Sequence, residues 1–460
     1  MVSLLLLVAG AHCDPALDSR TAFIVSTLVD ADRDLIASRP TLVASKYEVM
    51  ASGLQPFLRG TATLFYRDLS RYQGEQAMIP HGEGTEQTQL YGDVHLENVG
   101  VTFDVQGALL DVVDFDATTR GPFGWEVRRA ALALREALYL GGVSEEGLDQ
   151  VVARFAGSYV QTVLDQSATT PTLPTVFREP SSAAGKIITE LLADGRKRYD
   201  SQEELTQYGE VKDGVRTLLR NEDQQPLPEP WASDLPKLID SYRSHRHAGR
   251  GDDQQFALLD AVQKLNSGVA SLPNLRFWVL LRGDSAAPDP TTMGGQWILE
   301  FKEERDPPLP SAWLGRGPLG NNGERVYGGT LRLLASPTSE ADLGYVSFGG
   351  VSFQVRRVLR GRRDLDVAKL SERVLSGRYG TPDLFDLAVT LGRLLGAGHA
   401  RAGSAADLAR VLTAPDGRAD EWVSHLIGEA ASDQRRLQRD LLLFQQALAL
   451  RGPLLGAHSP

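Results

Sequence analysis

Cysteine is almost absent from this chain, since its 460 residues contain only one, Cys13. A single cysteine cannot form an intrachain disulfide, so a disulfide-stapled domain is excluded. Basic residues are fewer than acidic ones: the chain has 48 Lys and Arg and 59 Asp and Glu, which gives a formal net charge of −11. A nucleic-acid footprint needs a surplus of cations, and we therefore expect no nucleic-acid partner.

Long apolar runs are scarce, and one of them lies at the start of the chain. Leu4 to Ala11 has the length of the apolar part of a signal peptide and is too short to span a bilayer. Cys13 follows it, as in a lipoprotein signal, although no basic residue precedes the run. We expect residues 1–15 to be either a signal or lipoprotein segment or a buried N-terminal element. An envelope location with membrane attachment through Cys13 and a cytoplasmic location both stay open.

Two polar segments carry the chemistry of the sequence. The first is YGDVHLEN (91–98), and the second is VVDFD (112–116), with a hairpin-like pattern between them. Phosphoryl transfer needs one Asp to orient a hydroxyl, an Asn and an Asp to hold Mg²⁺, and a Lys to hold phosphates. The alternative is a loop whose Asp and Asn cap turns and whose His95 is a satisfied core imidazole. We do not expect His95 to bind a metal.

These segments resemble the catalytic and metal-binding segments of aminoglycoside phosphotransferases and other kinase-like enzymes. The wider chain resembles a bacterial family known as domain of unknown function 2252. The motifs that carry this resemblance span most of residues 45–405 and are PFLRG (56–60), GDVHLENVG (92–100), DFDATTRGPFGWEVRRA (114–130), WILEFKEE (297–304), GERVYGGTLRLL (323–334), FQVRRVL (353–359) and LLGAGHARAG (394–403).

The resemblance to kinase-like enzymes implies a role for each residue of the two segments. Asp93 would be the catalytic carboxylate, Asn98 and Asp114 would be metal ligands, and Asp116 would be an auxiliary ligand. The implied cofactors are ATP and Mg²⁺. The chain departs from the pattern at Tyr91, where phosphotransferases usually have His.

The same resemblance implies a nucleotide site in the second half of the chain. Lys302 matches the lysine that pairs with nucleotide phosphates, and the alternative is a lysine that reaches solvent from a strand end. Glu324 is the candidate partner of Lys302 on a helix that begins near residue 323. Gly268 and Ser271 would belong to the phosphate loop, GVASLP (268–273). This loop keeps one of the usual glycines, and its Ala and Pro limit how closely its backbone can approach phosphate.

The order of these parts is unusual for a kinase, because the strands that normally come first follow the catalytic loop. We therefore predict an α+β, two-lobed, protein-kinase-like fold that is circularly permuted, with helical and β-rich lobes. Residues 16–254 would form the first part of the helical catalytic lobe with the metal-binding hairpin, 255–360 the β-rich nucleotide lobe, and 361–460 the second part of the helical lobe. Lys302 should then lie near Asp114 and Asp93, and His399 near Tyr91.

The sequence thus favours an ATP- and Mg²⁺-dependent phosphotransferase acting on an unknown hydroxylated small molecule or peptide. The first alternative is a pseudokinase that binds or regulates without turnover. The second is a metal-dependent phosphoesterase using Asp93, His95, Asp114 and Asp116. Binuclear phosphoesterases generally need several further His ligands, and this chain has eight histidines without a second cluster beside a carboxylate motif.

Overall fold

Helices dominate both ends of the chain, and most strands lie between residues 209 and 357. The computed structural model describes residues 17–72, 87–179, 184–201, 203–283, 295–314, 320–358, 361–413 and 419–457. The predicted signal or lipoprotein segment, with Cys13, lies outside the described residues. The α+β class is confirmed.

The helices in chain order are α1 (Ser19–Ala31), α2 (Arg33–Ser38), α3 (Pro40–Ala51), α4 (Leu54–Gly60), α5 (Ala62–Tyr72), α6 (Phe123–Leu140), α7 (Glu145–Ser167), α8 (Gly185–Ser201), α9 (Glu203–Tyr208), α10 (Trp231–Ser244), α11 (Asn322–Leu333), α12 (Val367–Leu375), α13 (Thr381–Ala402), α14 (Ala405–Thr413) and α15 (Ala419–Arg451). Within the described part of the chain, no helix combines the length and the apolar character that crossing a membrane requires.

The strands in chain order are β1 (Gln87–Leu90), β2 (Val99–Asp104), β3 (Gly107–Val112), β4 (Thr119–Pro122), β5 (Gly209–Lys212), β6 (Val215–Leu218), β7 (Gln224–Pro226), β8 (Leu258–Lys264), β9 (Arg276–Leu281), β10 (Trp297–Glu303), β11 (Gly344–Phe348), β12 (Val351–Arg357) and β13 (Arg363–Asp364). They form a six-stranded sheet of order β11-β12-β10-β9-β8-β7, a three-stranded sheet of order β13-β2-β3, and the pairs β1-β4 and β5-β6.

The six-stranded sheet is antiparallel throughout, and one of its faces has its own apolar core. Side chains alternate between the faces of a strand, so every second residue of β9, β10 and β12 faces the same side of the sheet. Phe277, Phe301 and Phe353 pack there against α10, which contributes Leu238 and Tyr242. The sheet region thus includes β7 and α10 and begins before residue 255, where the sequence placed its start.

A second core joins the two ends of the chain. It includes residues from Ile24 in α1 to Phe444 in α15, and α7 packs closely against α13. Arg20 in α1 forms ion pairs with Asp68 in α5 and Asp440 in α15. The helical region is therefore assembled from segments that flank the sheet region in the sequence.

Two local features of the helices depend on breaks and on glycine. Residues 40–72 form three helices, α3, α4 and α5, with breaks at residues 52–53 and 61. Glycine weakens a helix interior, yet α11 continues through Gly328 and Gly329. A Cβ at Gly329 would lie 2.5 Å from the Thr118 methyl group, so the missing side chain lets α11 approach the segment before β4.

Candidate active site

A buried carboxylate fixes the backbone of the loop formed by residues 91–95. Glu126, at the start of α6, accepts hydrogen bonds from the backbone N–H groups of Tyr91, at 2.9 Å, and Gly92. Its Oε2 also contacts Nε2 of the buried His399 at 2.7 Å. Gly92 has a φ of +91°, which favours glycine. These contacts fix the backbone that leads into Asp93.

Asp93 is oriented by a buried arginine that the sequence did not single out. Its Oδ1 accepts hydrogen bonds from Nε and an Nη of Arg129, both at 3.0 Å. Arg129 is fully buried, whereas the Asp93 side chain keeps 14% of its exposure. Among the described residues Asp93 Oδ2 accepts no hydrogen bond, so one carboxylate oxygen is fixed and the other remains available.

Asn98 braces the same loop. Its Nδ2 donates to the backbone carbonyl of Asp93 at 2.9 Å, and its own carbonyl accepts a hydrogen bond from the N–H of Val113 at 2.9 Å. The second contact ties the loop to the end of β3. The chain therefore emerges from β3 at Asp114 beside the segment that carries Asp93.

Asp114 and Asp116 meet Lys302 of the six-stranded sheet. The Nζ atom of Lys302 lies 3.4 Å from Asp114 Oδ1 and forms an ion pair with Asp116. The Lys302 side chain is 4% exposed, so its ammonium group does not reach bulk solvent as a strand-end lysine commonly does. The structure thus brings together residues 188 positions apart in the sequence.

The pKa values of these groups follow from their shared position. Burial opposes ionisation of Asp114, but the Lys302 ammonium holds the pKa of this carboxyl well below its usual range. Burial and the negative charge of Asp114 raise the pKa of Asp116. Burial lowers the pKa of Lys302, but the two aspartates outweigh it and the net shift is upward. One cation is therefore shared between two carboxylates of different acidity.

The structure does not bring Glu324 to Lys302. Glu324 lies in the first turn of α11 with an exposed side chain, and its N–H is capped by Asn321. The next residue, Arg325, points inward and donates to the backbone carbonyls of Asp116 at 3.0 Å and Arg305 at 2.7 Å. Neighbouring helix positions point in different directions, so Arg325 reaches the segment of Asp116 whereas Glu324 does not.

Gly268 and Ser271 lie in the connection between β8 and β9, as a phosphate loop requires. Ser271 Oγ accepts a hydrogen bond from an Nη of Arg276 at 3.4 Å. The far end of this loop is anchored to the helical region, because Arg39 donates to the carbonyl of Pro273 at 3.0 Å. The loop is therefore held near the carboxylates by side-chain contacts.

Two cavities meet at the carboxylates. The sheet-side cavity, of about 450 Å³, is lined by Lys302 and by residues of β9, β10, β12 and α8. The helix-side cavity, of about 1060 Å³, is lined by Asp93, Asn98 and residues of the N-terminal helices. Asp114, Gly268 and Ser271 line both cavities. A ligand that extended from one cavity to the other would pass Asp114.

His95 has a different environment. It is buried with apolar neighbours, and burial lowers the pKa of its imidazole to about 4. Its Nδ1 has no hydrogen-bond partner among the described residues. In the described ranges no group of three or more His, Cys, Asp or Glu side chains is arranged to hold a metal. A cation at this site would depend on the two aspartates and the Asn98 amide.

Sequence reasoning missed Arg129 and Arg325 as parts of the site. Both come from recognisable motifs, but nothing in the sequence tells which arginine of a helix faces a loop that is distant along the chain. Glu126 lies in one of the same motifs, and its contacts with Tyr91 and Gly92 give it a structural role.

Comparison with protein families matches residues 38–447 to a family described as an uncharacterized protein conserved in bacteria. No curated protein and no solved structure matches the chain. The match covers the loop of Asp93, the two aspartates after β3 and the strand of Lys302. This chain belongs to the bacterial DUF2252 family.

Proposed function

We propose that this protein transfers a phosphoryl group from ATP, with Mg²⁺, to a hydroxyl of a small molecule or peptide. The observation that carries the proposal is the meeting of Lys302 with Asp114 and Asp116 at the junction of two cavities, one of which Asp93 lines. Phosphoryl transfer depends almost entirely on positioning and charge stabilisation, and these four side chains supply both.

The order of elements in the sheet region supports a kinase-like nucleotide lobe. A kinase-like lobe has a glycine-rich loop, then a lysine on the third strand, then a helix. In this chain the loop of Gly268 joins β8 to β9, Lys302 lies on the next strand, β10, and α11 follows. The edge strand β7 precedes this unit.

Contacts at the end of α13 support the circular permutation. In the unpermuted order this helix would lead into the loop of Asp93. The carbonyl of His399 accepts a hydrogen bond from Thr88 Oγ1 at 3.1 Å, and the rings of His399 and Tyr91 lie 6.3 Å apart. The two segments are thus neighbours, as exchange of chain ends at a surface requires.

The residues present fit Mg²⁺ and a triphosphate. Carboxylate and amide oxygens are the ligands that Mg²⁺ prefers, and Asp114, Asp116 and Asn98 offer them. Asp116 Oδ1 is buried and lacks a hydrogen-bond partner among the described residues. When bound, Mg²⁺ would neutralise phosphate charge. Lys302 would then contact phosphate oxygens in addition to the aspartates.

Asp93 would orient the acceptor hydroxyl from the helix-side cavity. Arg129 holds Oδ1, so Oδ2 is the atom that can accept the hydroxyl hydrogen bond and then its proton. The acceptor oxygen would thus face the phosphates beside Asp114 without requiring the loop to move.

A binding protein without turnover is the second candidate, and one observation favours it. Lys302 already pairs with both aspartates, and Arg39 anchors the loop near Pro273. A site closed in this way could keep a nucleotide without using it. A phosphoesterase remains the third candidate.

The test is to follow ADP formation from ATP and Mg²⁺ with a panel of hydroxylated acceptors, together with the thermal stability of the protein. A ligand at about 100 times its Kd adds about 2.7 kcal/mol to the free energy of unfolding. A phosphotransferase gives both ADP and stabilisation, and a pseudokinase gives stabilisation alone. Hydrolysis of p-nitrophenyl phosphate without nucleotide would identify a phosphoesterase and overturn the proposal.

A further inference from the structure

One face of the six-stranded sheet carries charged side chains where it borders the sheet-side cavity. Lys302 pairs in register with Arg276 of β9, and Glu300 pairs with Trp278 of β9 and Arg356 of β12. Alternation along the strands directs these residues to the same face, opposite the face covered by α10. The charged patch is therefore a property of three adjacent strands.

Glu300 holds this patch together. Its Oε2 accepts a hydrogen bond from Trp278 Nε1 at 3.0 Å and lies 3.4 Å from Arg276 Nη1. Its Oε1 lies 3.9 Å from Arg356 Nε. One carboxylate between two arginines fixes their position. Arg356 also lies 3.7 Å from Glu340 Oε1, so the uncompensated positive charge is mainly that of Arg276. Arg356 also donates to the carbonyl of Val113 at 2.9 Å, which links the patch to the segment before Asp114.

The lining of the sheet-side cavity is cationic as a whole. Nine of its side chains are Arg or Lys and six are Asp or Glu. The chain as a whole has a net charge of −11, so this excess of cations is local. Arg362, just before β13, also lines this cavity and lies 3.1 Å from Asp364 Oδ1. Arginine side chains suit phosphate because their planar donors can bind two oxygens at once.

The apolar part of the same sheet face is already covered by the chain. Trp278, Leu280 and Ile298 form a small core there with Leu218 of β6. Tyr208, at the end of α9, packs on Trp278 with ring centroids 4.6 Å apart. The hairpin of β5 and β6 is fixed in this place because Asp260 of β8 accepts a hydrogen bond from the N–H of Leu218 at 2.8 Å.

We propose that the sheet-side cavity is a polyphosphate site that binds through Arg276, Arg356, Arg362 and Lys302 and does not recognise a base. The hairpin of β5 and β6 covers the apolar part of this sheet face, on which a base would stack, and the part of the sheet face that lines the cavity is charged. Apolar residues that line the cavity, such as Leu191 and Leu370, lie outside the sheet. The arginines would supply donors that a loop containing Ala270 and Pro273 offers less well. The identification of the bound phosphates as those of the phosphoryl donor rests on the proposed function.

The test is calorimetric titration of the full chain, with Mg²⁺, by ATP, GTP, CTP, inorganic tripolyphosphate and adenosine. The three nucleotides and tripolyphosphate should bind with similar affinity, and adenosine should not bind. Arg276→Gln and Arg362→Gln should each weaken tripolyphosphate binding by about tenfold or more, because each removes a charge-assisted contact. Arg435→Gln, on the exposed side of α15, is the matched control and should change nothing.

Adenosine binding, a preference of more than about tenfold for one base, or unchanged binding in both arginine variants would overturn the inference. Thermal unfolding of each variant separates weaker binding from loss of fold, since both arginines are only partly buried. Base-selective binding with ADP formation would refute this inference and leave the proposed function standing. Base-independent binding without transfer to any acceptor would refute the proposed function and leave this inference standing.

Discussion

The two cavities that meet at Asp114 differ in the sign of their charge. The sheet-side cavity is lined by nine basic and six acidic side chains, and the helix-side cavity by five basic and nine acidic ones. A polyanion is therefore attracted to the first cavity and repelled by the second. In the proposed reaction this difference would direct the phosphate donor to the sheet-side cavity and the acceptor to the helix-side cavity, with Asp114 between them.

The largest effect is expected at the helix-side cavity. Asp93→Asn should reduce transfer by about 10²- to 10⁴-fold, because the amide cannot take the acceptor proton. Donor binding, measured by calorimetry, should stay near that of the unchanged protein, since Asp93 does not line the sheet-side cavity. Asp252→Asn, at an exposed position, is the control. Full transfer activity in Asp93→Asn would remove this residue from the mechanism.

A smaller effect, on Mg²⁺-dependent binding, is expected at Asp114, where the two cavities meet. Asp114→Asn should weaken Mg²⁺-dependent ATP binding by about 10- to 100-fold, because the metal loses an anionic oxygen ligand. Titration with and without Mg²⁺ separates this loss from a general one. If the dependence on Mg²⁺ were unchanged, Asp114 would not be a metal ligand, and the boundary between the cavities would lie elsewhere.

Glu126 supports the loop that carries Asp93, so its substitution should affect the helix-side cavity and not the sheet-side cavity. Glu126→Gln should lower the free energy of unfolding by about 1–3 kcal/mol, because a carboxamide has one acceptor oxygen for donors that now share two. Transfer should slow, and donor affinity should persist. Thermal unfolding and calorimetry measure the two effects. Loss of donor affinity equal to the loss of transfer would mean that Glu126 supports both cavities.

The last prediction concerns Glu136, a buried carboxyl that lies outside both cavities. Its pKa is shifted in the opposite direction from that of Glu300. The surrounding arginines outweigh burial and lower the pKa of Glu300 to about 2. Burial raises the pKa of Glu136 to about 7, against an ordinary value of 4.5. The stability that Glu136 contributes is thus present below pH 4.5 and lost as the pH rises through about 7.

Glu136→Gln should therefore unfold at a higher temperature than the unchanged protein at pH 8 and show little difference at pH 5. The expected gain at pH 8 is on the order of 1–3 kcal/mol, since the variant does not ionise. Thermal scans across this pH range measure it. An equal gain at both pH values would show that ionisation of Glu136 is not the cause.

The fold could be predicted where local patterns decide it. Apolar periodicity and flanking breaks mark β9 and α12 in the sequence, so their bounds can be predicted. α10 is hard to predict, since Pro236 lies inside it and proline-rich residues precede it. β8 is hard to predict because its outer residues Leu258 and Leu259 are exposed and its apolar alternation is weak.

The site could be predicted where a motif holds its own residues together. Asp93, Asn98, Asp114 and Asp116 belong to two short segments joined by a hairpin, so their proximity follows from local structure. That Glu324 does not reach Lys302 could not be predicted, because it depends on the rotation of α11 about its own axis. Tyr208 and Leu218 cover part of the sheet, and this packing could not be predicted either. It joins segments that are distant in the sequence, and neither residue lies in a recognised motif.

The most direct test of the proposed division between the two cavities is a structure of the protein with Mg²⁺ and a non-hydrolysable ATP analogue. The phosphates should lie in the sheet-side cavity against Lys302 and the arginines, with the metal on Asp114. The terminal phosphate should face Asp93 across the junction of the two cavities. Phosphates bound in the helix-side cavity, or a metal held without Asp114, would contradict this division.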